Sequence, residues 1–197
     1  MRHLWAVLLL SGAFYSAGVA ALELEGVALE EQIQLTGVTL TLNGAGIRHK
    51  LAFMKRYVCA LYLTQKNADA EAVYADAHAK RIMIHSLTDD LAGSELVASI
   101  NHGLAANLLP HEFALLERRV RDLNQILGGT KVLKKGAVIA IDYLPDTGTR
   151  VAVDGEIRLT VPGADFYRAL LRVWIGAKPM DGRLRDAMLG GAPRKFF

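Results

Sequence analysis

The sequence predicts an α+β fold: a large, mainly antiparallel sheet covered on one face by a layer of helices. Three observations predict it. Segments with strand patterning mostly follow one another directly, which favours antiparallel pairing. Two consecutive segments in the middle carry apolar residues at helical spacing. Two further helical segments close the chain. The length of 197 residues fits one domain. With 52% hydrophobic and 22% charged residues, the chain is not intrinsically disordered. A single cysteine excludes an intrachain disulfide framework and any multi-cysteine metal site.

Met1-Arg2-His3 precedes an uncharged run from Leu4 to Leu22. A basic start, an apolar stretch over Leu4–Leu10 and small residues up to Ala20-Ala21 read as a secretory signal peptide. Residues 1–21 are therefore expected to be removed, leaving 22–197 as one exported, periplasmic domain. The alternative is an uncleaved membrane anchor, since the uncharged run is just long enough to span a bilayer. No comparable apolar run follows, so no stable membrane span is expected in the mature chain. The formal net charge is +3, and basic residues are interleaved with acids, as in Glu117-Arg118-Arg119-Val120-Arg121-Asp122. That pattern reads as a solvated helix face and not as a nucleic-acid-binding stripe.

Val38–Leu42 alternates apolar and hydroxyl residues and reads as a strand ending at Asn43-Gly44-Ala45-Gly46, a turn or bulge signal. Leu51–Leu63 reads as one long strand, with Phe53, Tyr57, Cys59, Leu61 and Leu63 sharing a face. Ala70–Ala79 reads as a short helix and Arg81–His85 as a strand. Leu96, Val97, Ile100, Leu104 and Leu108 form one helical stripe, which Asp89-Asp90 is expected to cap. Phe113, Leu116, Val120, Leu123 and Leu127 form the next. Pro110 separates the two, and Gly128-Gly129 offers a left-handed end to the second. Strands return at Ala137–Tyr143, Arg150–Val153 and Ile157–Val161, joined by Asp146-Thr147-Gly148 and Asp154-Gly155. One final helix carries Phe166, Leu170, Val173 and Trp174. The other starts at Asp181, a good N-cap, and stops at Gly190-Gly191.

Few catalytic motifs survive inspection. The glycines near position 44 lack the third glycine of a dinucleotide loop, because His49 stands there. There is no G-x-S-x-G elbow, and His111-Glu112 does not extend to H-E-x-x-H. The histidines have no metal-like spacing, so neither a metal nor a cofactor is expected. Cys59, mid-strand among apolar residues, reads as an inert buried thiol. Arg48 is the informative residue. It follows a glycine-bearing bend and precedes an apolar strand, and a buried arginine needs an anionic partner. That partner is either an internal carboxylate or the carboxylate of a bound ligand, to which Tyr57 would add a hydroxyl donor.

Two segments carry a family resemblance. Leu42–Arg48 followed by Lys55–Leu63 resembles the N-terminal signature of the chalcone isomerase-like superfamily. Phe166, Ala169–Gly176 and Pro179, ending at Leu189-Gly190, resembles its C-terminal signature. The resemblance implies an open-faced sandwich with a ligand cleft between sheet and helices. It also implies one of two activities. Chalcone isomerases close a flavanone ring with an arginine, a threonine and a tyrosine. Fatty-acid-binding relatives hold a carboxylate with the matching arginine and a tyrosine in place of the threonine. Carried over, the arginine falls on Arg48 and the threonine-or-tyrosine position on Tyr57, the binding-protein choice. The isomerase's other tyrosine has no counterpart in Leu91-Ala92-Gly93-Ser94-Glu95. The expected activity is therefore non-catalytic, periplasmic binding of a small lipophilic acid such as a fatty acid. An isomerase or intramolecular lyase acting on a phenolic or enone substrate is the first alternative. A structural or partner-binding envelope protein is the second.

Overall fold

The computed structural model describes residues 21–51 and 53–191. The expected leader lies outside the described residues, apart from Ala21. Strands β1 (Ala21–Leu24) and β2 (Val27–Glu30) form a hairpin. Then follow β3 (Gln32–Leu35), β4 (Val38–Lys50) and β5 (Met54–Leu63), helix α1 (Ala70–Ala75) and β6 (Lys80–Ser86). The two-residue β7 (Leu91–Ala92) leads into α2 (Gly93–Asn107) and α3 (Pro110–Gly129), after which β8 (Val132–Leu133) pairs back with β7. Strands β9 (Val138–Leu144), β10 (Gly148–Val153) and β11 (Glu156–Val161) precede α4 (Asp165–Ile175) and α5 (Gly182–Met188).

Seven strands form one sheet in the order β11-β10-β9-β6-β5-β4-β3. Every neighbouring pair is antiparallel, as the strand-after-strand sequence implied. Alternation along β5 divides the protein into two apolar layers. Tyr57, Cys59, Leu61 and Leu63 face the helices and pack with Phe166, Leu170, Val173 and Trp174 of α4. Val58, Ala60 and Tyr62 face the other way, with Leu40 and Leu42, where Leu24, Val27 and Leu29 of the first hairpin cover that part of the sheet. Cys59 is fully buried, as its apolar setting implied.

One irregularity decides where the site forms. The β4–β5 register shifts between Leu42 and Gly44, which leaves Asn43 as a bulge. Leu40 and Leu42 face the hairpin side before it, Ala45 and Ile47 after it. The parity flip turns Gly44, Gly46 and Arg48 toward the helices. The glycines therefore lie inside a strand and do not end it. A Cβ on Gly44 would sit 2.1 Å from the Ala187 carbonyl oxygen, and one on Gly46 would sit 2.9 Å from Ala187 Cβ. Only a strand stripped of side chains lets α5 lie this close. Asn43 fastens the contact: its Nδ2 donates to the Met188 carbonyl at 2.8 Å and to the Asn67 carbonyl at 3.0 Å.

Three local expectations are corrected. Leu51 and Phe53 lie in a turn and not at the start of a strand, and Phe53 is 76% exposed instead of sharing the Tyr57 face. No glycine or proline marks this turn; Leu51 adopts a φ of 52°. Gly128 and Gly129 stay within α3, and the helix ends through Thr130 at a φ of −76°. Asp89 and Asp90 do not cap α2, whose N-cap Ala92 makes no side-chain cap bond. Asp89 instead accepts from the Lys135 N–H, and Asp90 accepts from Arg56. Pro110 occupies the first helical position of α3, where its missing N–H is harmless.

Gly44→Ala is expected to lower stability by about 1–3 kcal/mol, because α5 must move off the strand. Gly129→Ala, with open space around it, is expected to be neutral or to stabilise by up to about 1 kcal/mol. Urea unfolding followed by tryptophan fluorescence measures both.

Candidate functional site

Arg48 and Tyr57 are direct cross-strand partners, so their side chains leave the same face of the sheet. The peptide before α5 closes over them. The Asp181 Oδ2 lies 3.5 Å from an Arg48 guanidinium nitrogen, and the Tyr57 hydroxyl donates to the Met180 sulfur at 3.4 Å. Arg48 also donates to the carbonyl of His49. Asp181 uses its other oxygen, Oδ1, to cap α5, accepting from the Arg183 and Leu184 N–H groups at 3.0 and 3.2 Å. Arg48 is thus at the rim, with a side chain 24% exposed, and is not sunk in the interior. Its partner is an internal carboxylate, one of the two partners the sequence left open. Tyr57 is buried, and burial pushes its hydroxyl pKa up, so it is a neutral donor at physiological pH.

A second register shift, between Arg48 and His49, makes a bulge at Arg56. Strict alternation would send Arg56 to the opposite face from Tyr57. The bulge re-aims it toward the helices instead. Its side chain is 7% exposed. It donates from Nε and Nη2 to the two Glu95 oxygens at 2.9 and 3.1 Å, and from Nη1 to Asp90 at 2.9 Å. Lys50 adds a 3.0 Å contact to Glu95. Glu95 stands in the first turn of α2, where the helix dipole also favours an anion. Burial alone would raise the Glu95 pKa, but the Lys50 and Arg56 hydrogen bonds outweigh it and hold the carboxyl below its ordinary value. Hydrogen bonds from Thr88 and Arg56 hold Asp90 low as well.

These groups enclose a cavity of about 110 Å³, lined by Arg48, Lys50, Arg56, Tyr57, Glu95 and the Leu96–Ser99 face of α2. Three cationic side chains, a phenol and one carboxylate thus line it, while Asp181 and Asp90 pair with Arg48 and Arg56 from outside the lining. Behind Tyr57 lies Trp174, 1% exposed. Its indole N–H has no hydrogen-bond partner among the described residues. A larger groove of about 340 Å³ lies at the far end of β5, around Thr64–Asn67, Asp76 and His78, but it does not gather the cations.

The sequence matches the chalcone isomerase-like family over residues 21–190. The chain belongs to the chalcone isomerase-like family. Among solved structures it is similar to an Arabidopsis thaliana fatty-acid binding protein. The two share 14% identity and a TM-score of 0.62, and the match covers 84% of this chain and 92% of that one. No curated protein matches the chain by sequence.

In this chalcone isomerase-like protein, Arg48 and Tyr57, the two expected site residues, lie side by side across β4 and β5. Arg56, Lys50, Glu95 and Trp174 join them without having been singled out. Arg56 was hidden because its orientation depends on a bulge; an acid in the first turn of α2, Glu95, is the signal that could have pointed to its partner. Among the described residues, no group of three or more His, Cys, Asp and Glu side chains is placed to hold a metal ion. Nor is any helix long and apolar enough to cross a membrane. The arrangement sets cationic side chains beside a neutral hydroxyl donor, chemistry suited to an anion.

The lowered pKa values carry a pH dependence. Carboxyls held low in the folded state stabilise it above their ordinary pKa, and that contribution is lost as pH falls through the folded value. Arg56→Leu is therefore expected to flatten the loss of stability between about pH 7 and about pH 3. Urea midpoints measured across that range compare the two proteins.

Proposed function

We propose that this protein binds a lipophilic carboxylate, such as a fatty acid, in the periplasm and does not transform it. The observation that carries the reading is the cavity, whose wall brings together Arg48, Lys50, Arg56 and Tyr57 with Glu95 as the one acid in the lining. The ligand carboxylate takes the place of the Asp181 oxygen on Arg48 and accepts from the Tyr57 hydroxyl. Asp181 keeps its capping oxygen on α5 throughout, because the two contacts use different atoms. The similar fatty-acid binding protein supports the ligand class, and the leader-like Met1–Ala21 supports the location.

The tail sets a condition. A cavity of about 110 Å³ is well below the roughly 300 Å³ at which pockets for drug-sized ligands begin. A long tail therefore requires the Leu96–Ser99 face of α2 to move off Tyr57. That helix start has no side-chain cap and is held to the sheet by Glu95, so the ion pair to Arg56 acts as the latch. Each buried methylene then contributes about 0.8 kcal/mol.

A second reading follows from the Arg48–Asp181 contact itself. Arg48 would then simply clip α5 to the sheet in an envelope protein that takes no ligand. Lipid extraction of protein purified from its own envelope separates the two: a co-purifying acid supports the first, and an empty protein supports the second. Arg48→Ala is expected to weaken fatty-acid binding about tenfold or more while leaving methyl-ester binding nearly unchanged. Calorimetric titration of both ligands measures this, and equal losses would rule out the carboxylate role.

A further inference from the structure

The β4–β5 hairpin extends past the rest of its sheet. Its ladder continues to the Lys50–Met54 pair, whereas the β5–β6 ladder stops at Tyr57–Ser86. The projecting tip carries Leu51 at 71% exposure, Phe53 at 76% and Met54 at 40%. Among the described residues the other large exposed apolar side chains are scattered over separate elements. Neither folding nor packing accounts for these three. Leu51 sits at a φ of 52°, a left-handed position where glycine or asparagine is favoured and leucine is strained. It buries little in return. Strained residues of this kind, kept without a packing benefit, point to function.

The charges on the hairpin's own residues near the tip are of one sign. Arg48–Arg56 holds four Lys and Arg residues and no acid. Lys50 and Lys55 flank the apolar tip with side chains 51% and 47% exposed. Their contacts to Glu95 and Glu25 are solvent-exposed ion pairs, which hold weakly and exchange readily for phosphate oxygens. An apolar tip with a basic collar is the composition that seats a protein at a lipid interface.

We propose that this hairpin tip docks on an anionic phospholipid bilayer, with Leu51, Phe53 and Met54 inserted below the headgroups and Lys50 and Lys55 at the phosphates. The proposal does not rest on the ligand reading: Leu51, Phe53, Met54 and Lys55 lie outside the cavity, and of the docking residues Lys50 alone also lines it. The same hairpin carries Arg48 and Tyr57, so docking brings the cavity mouth to the membrane surface.

Vesicle co-sedimentation tests it, with phosphatidylcholine alone and with phosphatidylglycerol added. The wild-type protein is expected to bind the anionic vesicles, more strongly at low salt. Leu51→Ser with Phe53→Ser is expected to reduce that binding about tenfold or more. Lys50→Gln with Lys55→Gln is expected to reduce it about tenfold, and to abolish the preference for phosphatidylglycerol. The wild-type-to-variant difference is what counts, because an apolar leader carried by both proteins cannot produce it. Urea midpoints confirm that the variants fold. No vesicle binding by the wild type, or undiminished binding by the serine variant, overturns the proposal. So does a serine variant that loses only self-association or a protein contact.

Discussion

The contact on which the candidate site depends is the close approach of α5 to β4. Helix packing on a sheet ordinarily rests on side chains from both layers, which holds the backbones about 10 Å apart. At Gly44 and Gly46 the sheet offers no side chain, and α5 settles almost onto the strand backbone. Asn43 adds hydrogen bonds to Met188 and Asn67, which fix the position of the helix along the strand. Because α5 is short, fixing its body also fixes its start. That start is Met180-Asp181, and it lands on Tyr57 and Arg48. A substitution at Gly44 therefore acts on the site from a distance, through the helix that covers it.

Two bulges in one strand pair do most of the shaping. Regular alternation would give each strand a single apolar face and a single other face. The bulge at Asn43 changes which residues of β4 look at the helices, and the one at Arg56 puts two consecutive residues of β5 toward them. The first allows the helix contact. The second gathers Arg56 with Arg48 and Tyr57, and so makes the cavity cationic. Holding three cations near one another is unfavourable unless carboxylates lie close, and Glu95, Asp90 and Asp181 supply them. The same ion pairs tie α2 and α5 to the sheet, so charge balance and helix docking are one arrangement.

Much of the fold was legible in the sequence because it follows from periodicity. The strands after Ala137 and the stripes of α2 and α3 all lie where alternation and helical spacing placed them. Asp181 caps α5 as its residue type suggested. What escaped was whatever needed knowledge of the other layer. Asn43-Gly44-Ala45-Gly46 looks alike as a turn or as a strand under a helix, and only α5 distinguishes them. The turn that holds Leu51 and Phe53 has none of the usual turn residues, so it read as strand. Arg48 and Tyr57 were visible as candidates, but not as neighbours, because the intervening bulge sets their register.

If the site takes a carboxylate as proposed, the Arg48–Asp181 pair makes binding an exchange instead of a simple addition. A ligand carboxylate that replaces Asp181 on Arg48 swaps one ion pair for another, so the net gain at the headgroup is small. Selectivity still arises there. Without Arg48, an incoming carboxylate would face Asp181 uncompensated, and a desolvated unpaired charge is more costly than a pair is favourable. The Arg48 contact thus allows an acid beside Asp181 more than it adds affinity for one. Affinity must come from the tail, whose burial requires α2 to loosen from the sheet. Arg56 and Glu95 set how readily that happens, since they hold the end of α2 that carries no cap of its own. On the proposed reading, recognition of the acid and opening of the cavity therefore depend on different arginines, held on adjacent strands by the same bulged hairpin.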